Sequence, residues 1–387
     1  MPTVLIHVQH LLGIGHLQRA GALATALQAA GARVVLASGG TPVPQVEERV
    51  AARGVEVVRL PEARAADVHF STILDATGQP IDEAWKARRR DMLLGLLAGT
   101  APDAIITEMF PFGRRPFRFE LLPLLEAAQA VAKPPVIASS VRDVLIANSK
   151  PGRAEDIAAT AKRFYDLVLV HGDQRLIRFD ASFPAAAEIT DRIRYTGYVT
   201  EAKAVTQAVH RTDGEVLVSA GGGAVGLPLL RAAIAARRHS REANRPWHII
   251  TGTNLPEADV AALTRQAEGD LGIILERFRT DFAVLLARCR VSVSQGGYNT
   301  VLETVASRTP AVIVPFAEGQ ESEQTDRVRL LADKGLLRFL PQSELTPERL
   351  AVEIDRAATM TPPVIEIDLN GAARSAELIL DAIVERQ

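Results

Sequence analysis

Residues 4–38 read VLIHVQHLLGIGHLQRAGALATALQAAGARVVLAS. A short apolar run (Val4–Val8) leads into a turn holding Gly13 and Gly15, then a stretch with helical periodicity stopped by Gly31, then a second apolar run (Ala32–Ser38). Strand, glycine turn, helix, strand is the opening of a parallel α/β sheet, and such turns receive phosphorylated ligands. A dinucleotide fingerprint requires a third glycine and an acidic residue about 20 positions on, ending the second strand. Here Gln18 stands at the third position and the second strand ends LASGG, so an NAD site is not expected. The turn instead presents His16 at a helix start. Imidazole titrates near neutrality, and a helix N-terminus disfavours imidazolium, which suits a general base. The alternative is a histidine that only caps the helix or faces solvent.

The same alternation continues outward. Strands are expected at 3–8, 33–38, 55–60, 103–107, 135–140 and 167–170, with helices between them. One of these, DEAWKARRRDMLLGLLAG, is expected to stop at Gly99 and to show a solvated WKARRRD face. Strand signals resume at GEVLVSAGGG (Gly214–Gly223) and run through WHIITGT, GIILERF, VSVSQGG, PAVIVPF and LLRFLP. The fold class is therefore α/β, with two doubly wound, Rossmann-like domains facing across a cleft. The segment YTGYVTEAKAVTQAVHRTDG reads as a linker. The expected domains are residues 1–200, residues 201–370 and a terminal amphipathic helix over 371–387 that packs back on the first domain.

Composition narrows the class. The 387 residues carry a net charge of −2, so neither nucleic acid nor an anionic membrane is an expected partner beyond peripheral contact. One cysteine, Cys289, allows no internal disulfide. The first residues lack a signal-peptide pattern, and no apolar run is long enough to span a bilayer, so a cytoplasmic location is expected.

Three further clusters follow strands. SAGGGAVG places Gly221, Gly222 and Gly223 where a diphosphate could approach backbone N–H groups, although glycines also serve close helix packing. In VSVSQGGYNTVLETVASRTPAVIVPF, Gly296 and Gly297 make the turn into a helix, and Glu303 lies where a carboxylate could accept both hydroxyls of a ribose. FAEGQESEQTDRVRLLADKG is a polar loop entering a helix, with Glu323 and Gln324 near its start. In the first half, ITEMFPFGRRPFRFELLPLL sets Glu108 and the arginines 114, 115 and 118 among Phe112, Phe117 and Phe119. SSVRDVL carries Arg142 and Asp143, a candidate ion pair. Glu108, Arg114, Arg115, Arg142 and Asp143 are candidate acceptor-side residues. The competing reading of the arginine cluster is an irregular loop with apolar anchors.

Over about residues 214–340 the order SQGG-x-x-T-x-x-E…P-x-x-x-VPF…EQ resembles the nucleotide-sugar half of glycosyltransferase family 28, whose members include the lipid II-forming N-acetylglucosamine transferases. The first half resembles them less. GIGHLQR is similar to the turn of the UDP-sugar hydrolases of pseudaminic acid synthesis, and the arginine-rich loop resembles an uncharacterised bacterial group of family 28-like glycosyltransferases. The resemblance implies a GT-B fold and an inverting, metal-independent transfer from a nucleotide-diphosphate sugar, UDP-linked, to an acceptor hydroxyl. That acceptor would be a small molecule, glycan or lipid-linked intermediate. It implies no cofactor and no metal ligands. Carried over by position, Gly221–Gly223 and Gly296, Gly297, Tyr298, Asn299 and Thr300 would face the diphosphate. Phe278 and Arg279 would meet the base through their backbone, Glu303 would hold the ribose, and Glu323 and Gln324 the sugar. Glu323 replaces a glutamine of the lipid II-forming enzymes, which leaves the sugar open. A nucleotide-sugar hydrolase or epimerase and a non-catalytic binding module remain the alternatives.

Overall fold

Strands made almost wholly of Val, Ile, Leu and Ala must be covered on both faces, and parallel pairing with helical crossovers does that. The computed structural model describes residues 1–11, 14–67, 72–145, 151–200, 214–221, 225–316 and 323–386. It divides into two units: Met1–Thr200 with Asp368–Gln387, and Glu201–Ile367.

Unit 1 runs β1 (Thr3–Val8), α1 (Gly15–Ala29), β2 (Arg33–Ser38), α2 (Pro44–Ala51), β3 (Glu56–Arg59), β4 (Arg64–Ala65), β5 (Ile73–Leu74), α3 (Glu83–Thr100), β6 (Ala104–Glu108), α4 (Arg118–Ala130), β7 (Val136–Arg142), α5 (Arg153–Phe164), β8 (Leu167–His171) and β9 (Ile193–Tyr195). Seven strands pair in parallel in the order β3-β2-β1-β6-β7-β8-β9, while β4 and β5 form a small antiparallel pair. The order reverses between β1 and β6, where Leu5 lies opposite Val35 on one side and Ile105 on the other. Alternation along the strands sends Val4, Ile6 and Val8 to one face, against Leu17, Ala24 and Leu27 of α1. Leu5 and Ile105 go to the other face, against Leu93 and Leu97 of α3 and Leu121 of α4.

Unit 2 runs β10 (Val216–Ser219), α6 (Leu227–Ala236), β11 (Trp247–Ile250), α7 (Glu257–Ala267), β12 (Ile273–Glu276), α8 (Phe282–Arg288), β13 (Val291–Ser294), α9 (Tyr298–Ala306), β14 (Ala311–Ile313), α10 (Glu323–Asp333), β15 (Arg338–Phe339) and α11 (Pro347–Ala358). Its parallel sheet, β12-β11-β10-β13-β14-β15, reverses between β10 and β13. The chain then returns to unit 1 as α12 (Gly371–Arg386). Ala376, Ile379 and Ile383 of α12 join the core around α1, and the bridge Val199–Asn370 ties the returning strand to the end of the first pass. No helix among the described residues is long and apolar enough to cross a membrane.

The structure corrects several local expectations. Gly99 does not stop α3; the helix continues to Thr100 and ends at Ala101, whose φ of 41° lies in the left-handed region and whose N–H bonds the Leu97 carbonyl. The WKARRRD segment is not a solvated face, because Arg89 within it is fully buried. Its guanidinium is bonded to Glu120 (Nε–Oε2 2.6 Å), to Gln9 Oε1 (2.5 Å) and to the carbonyls of Gly39 and Pro61 (3.0 and 2.7 Å), and it sits over the rings of Trp85 and Phe117. Helical periodicity could not separate Arg89 from Arg88 and Arg90, since a buried arginine is set by its partners rather than by its own apolarity. The last residue of β9, Tyr195, and the buried Thr196 and Tyr198 lie in what reads as linker, and β9 itself is not among the expected strands. Three residues of edge strand leave too short a pattern to register. Residues 201–213 of that segment lie outside the described residues.

Candidate functional site

In open α/β sheets ligands gather beyond the carboxyl ends of the strands, at the point where strand order reverses. Each unit places its candidate residues there.

In unit 1, β6 ends in Glu108 and α1 begins at Gly15, directly after Ile14; Leu12 and Gly13 lie outside the described residues. His16, in the first turn of α1, is bonded through Nδ1 to Glu108 Oε1 at 2.9 Å. Glu108 is almost wholly buried, whereas the His16 side chain keeps 16% of its surface exposed. Arg19, one turn along α1, is bonded to both carboxylate oxygens of Glu108 and is itself buried. The guanidinium is the counter-ion that a buried carboxylate requires. When Nδ1–H donates to it, the imidazole lone pair sits on Nε2, the nitrogen that would take a proton. His16 and Glu108, named separately from the sequence, thus form one acid–base pair. Ile14 supplies no side-chain cap to α1, and His16 is engaged with Glu108 rather than capping the helix.

The acceptor-side candidates are distributed as follows. The guanidinium of Arg142 reaches the same turn, for a Cβ on Gly15 would lie 3.3 Å from its Nη2. Arg114, held at a φ of 57°, donates from Nε to the Gln9 carbonyl at 2.6 Å, just after β1. Arg115 is exposed, and with the half-buried Arg118 it borders a small recess that also involves Arg153. Phe112 and Phe117 are buried anchors of this loop. Asp143 is fully buried and accepts from the Tyr198 hydroxyl (3.1 Å) and the Val144 N–H (3.0 Å). Its recorded bonds serve packing of the chain end that follows β9.

In unit 2 the glycines differ in kind. A Cβ on Gly296 would meet Pro315, Gln324 and Val328 at 3.0–3.2 Å, so this glycine is required by packing of α10 against the turn. At Gly297, immediately before α9, a Cβ would meet nothing within 4 Å. Gly221, with a φ of 66°, is equally open after β10. Gly222 and Gly223 lie outside the described residues. Open glycines at the ends of β10 and β13 therefore flank the reversal point, with the N-terminus of α9 beside them. In the first turn of α9, Tyr298 and Thr300 are half-buried and Asn299 is exposed.

Glu303 lies on α9, about half-buried. Burial pushes its carboxyl above the ordinary glutamate range, and among the described residues it has no hydrogen-bond or ion-pair partner. Glu323 and Gln324 open α10. Gln324 accepts the Phe316 N–H at 3.3 Å, and Glu323 accepts from Arg327 at 2.8 Å, while the Arg327 guanidinium covers the Tyr298 ring. These contacts join α9 to α10 through the residues named for diphosphate and sugar. Phe278 is 65% exposed after β12, and Arg279 is turned to the Asp281 carboxylate (2.8 Å) and to Glu276. Their recorded side-chain contacts reach neither glycine turn. Among the described residues no group of three or more His, Cys, Asp or Glu is arranged to hold a metal ion.

The architecture is that of the GT-B glycosyltransferases. Solved structures similar to the chain are MurG of Acinetobacter baumannii (TM-score 0.66, 17% identity, covering 98% of this chain and 100% of that one) and the calicheamicin glycosyltransferase CalG4 (0.61, 16%, covering 100% and 94%). A third is the Streptomyces sp. SF2575 glycosyltransferase SsfS6 complexed with thymidine diphosphate (0.56, 15%, covering 98% and 100%). Residues 217–372 match the glycosyltransferase family 28 C-terminal domain.

Among curated relatives, the UDP-N-acetylglucosamine–N-acetylmuramyl-(pentapeptide) pyrophosphoryl-undecaprenol N-acetylglucosamine transferase of Mesorhizobium japonicum is 30% identical over 144 residues, 35% of this chain and 38% of that protein. An uncharacterized glycosyltransferase of Methanopyrus kandleri is 28% identical over 166 residues, 42% of this chain and 44% of that protein. The chain thus matches between a quarter and under half of the length of these curated relatives.

Proposed function

We propose that the protein is an inverting glycosyltransferase that moves a sugar from a nucleotide diphosphate to an acceptor hydroxyl. The observation that carries this reading is Glu303: a half-buried carboxylate whose side chain has no partner among the described residues, on the helix behind an open glycine turn, within the stretch that matches the family 28 C-terminal domain. An unpaired buried carboxylate is costly unless a ligand satisfies it, and the two hydroxyls of a ribose would do so. The diphosphate rests on Gly221, Gly297 and the α9 N-terminus, whose N–H groups stabilise the charge that develops on the leaving group.

His16 in unit 1 takes the acceptor proton on Nε2 as the acceptor oxygen bonds to the anomeric carbon, and the bond to the diphosphate oxygen breaks on the opposite face. The imidazolium so formed is neutralised by Glu108. Transfer to water or epimerisation would use the same donor site, and analysis of products separates them from glycoside formation.

Glu303→Ala is expected to weaken nucleotide binding by about 1–3 kcal/mol, the scale of hydrogen bonds to a charged group. Calorimetry with UDP and with thymidine diphosphate checks this and identifies the base, since a similar fold holds thymidine diphosphate. Equal affinity in wild type and variant would remove Glu303 from the site. Turnover is also expected to survive EDTA, because the sequence holds no Asp-x-Asp triplet to carry a metal-bound diphosphate. Activity lost to chelation and restored by Mg²⁺ or Mn²⁺ would sink that expectation.

A further inference from the structure

The bond between His16 and Glu108 is the exposed end of a longer chain. Ser140 of β7 lies 2.5 Å from the second carboxylate oxygen of Glu108, and its hydroxyl lies 2.8 Å from Nε2 of His171 at the end of β8. His171 Nδ1 lies 2.9 Å from the Thr196 hydroxyl, beyond β9. Ser140, His171 and Thr196 are buried to within 1% of complete. A line of polar side chains thus crosses the carboxyl-end region of β6 to β9.

The donors can be assigned by elimination. Ser140 has one hydroxyl proton, and a carboxylate oxygen at 2.5 Å can only accept it. The Ser140 oxygen therefore accepts from His171 Nε2–H. A neutral His171 then has its lone pair on Nδ1, facing a Thr196 hydroxyl whose one proton also has the Gly197 carbonyl within reach at 2.9 Å. Neutrality is imposed by the surroundings, since burial first and the Arg19 charge second push the His171 imidazole down to about 3. The Ser140 and His171 protons thus both point toward Glu108.

We propose that Ser140 and His171 are positioning residues for the base: they fix Glu108 so that its other oxygen holds His16 in the tautomer with Nε2 open to a proton. This rests on the reading of His16 as base. Apolar residues at 140 and 171 would fill the same space, so packing alone does not call for a hydroxyl and an imidazole there. A buried polar line is justified when each member orients the next. The charged groups facing His16 are Glu108, Arg19 of its own helix and Arg142 beside Gly15.

The test uses the full chain in three variants: Ser140→Ala, His171→Leu and His171→Gln, whose amide can still donate to Ser140. The His16 titration is followed by NMR, assigned by loss of its signal in His16→Ala, and needs no substrate. Ser140→Ala and His171→Leu are expected to lower the His16 midpoint by about half a pH unit or more. They are also expected to lower turnover about tenfold to a hundredfold with unchanged nucleotide affinity, and His171→Gln should recover most of both. Thermal melts identify any variant that fails to fold, in which case the remaining pair decides. An unchanged His16 midpoint in a folded Ser140→Ala or His171→Leu overturns the proposal. Should the wild type transfer no sugar while the midpoint still shifts, the transferase reading fails and the positioning chain stands.

Discussion

His16→Ala is expected to lower turnover about 10²–10⁴-fold, the range for removal of a positioned general base, while nucleotide affinity stays at the wild-type value. The separation follows from where the groups lie. His16, Glu108 and Arg19 belong to unit 1, whereas Glu303 and the open glycines that would hold the nucleotide belong to unit 2. Donor affinity by calorimetry and turnover against an active acceptor are the two measurements. The wild-type pH–rate profile should rise through the imidazole range, and the variant should lose that limb. A variant that keeps most of its activity would reduce His16 to a turn residue. One that also loses the nucleotide would place the imidazole on the diphosphate, and the base would then be sought at Glu108 or Asp143.

The second large effect is on stability. Arg89→Met is expected to destabilise the first unit by about 3–5 kcal/mol, the cost of stranding one member of a buried ion pair. The stranded group is Glu120, which is fully buried. Burial alone would raise its carboxyl, but Arg89 and the His7 bond (3.0 Å) outweigh that and hold it below the ordinary range. The lost guanidinium also removes a donor from the Pro61 carbonyl and Gln9 Oε1, and leaves the Gly39 carbonyl with the Ala63 N–H. Denaturant unfolding of single and double variants checks this. Arg89→Met combined with Glu120→Gln should recover part of the loss, because no charge then remains buried without a counter-ion. A single variant as stable as wild type would mean that water reaches Glu120.

The scaffold was readable because the central strands are long apolar runs and their helices carry clear stops such as Gly31, whose φ is 90°. Edge elements were not. The strand β9 has three residues and β4 and β5 two each, too few for a periodicity to emerge. The candidate residues His16, Glu108 and Glu303 could each be named from their surroundings in the sequence. Their relations were not readable, because the contact between His16 and Glu108 spans 92 positions. Ser140 and His171 passed unnoticed as a pair for the same reason, although one signal was present. The strands β6 and β8 end in Glu108 and His171, and Ser140 lies two residues before the end of β7, beyond its apolar start. Polar closures on adjacent central strands converge on one point, and strand order was needed to see it. Gly296 shows the opposite limit, since a glycine kept for tight packing and one kept for an open turn look identical until their neighbours are in place.

Helix α12 completes the core of the first unit with Ala376, Ile379 and Ile383, yet the whole of the second unit is translated between β9 and it. As the chain leaves the ribosome, the face of α1 that those residues cover stays bare until the second sheet has been made. The amino-terminal half therefore matures last although it is synthesised first. In the interval it is a natural client for holding factors and a ready target for proteases. A release of the nascent chain anywhere in the second unit leaves the carboxyl-side face of α1 uncovered, and the fragment that carries the acid–base pair lacks part of the core beneath it.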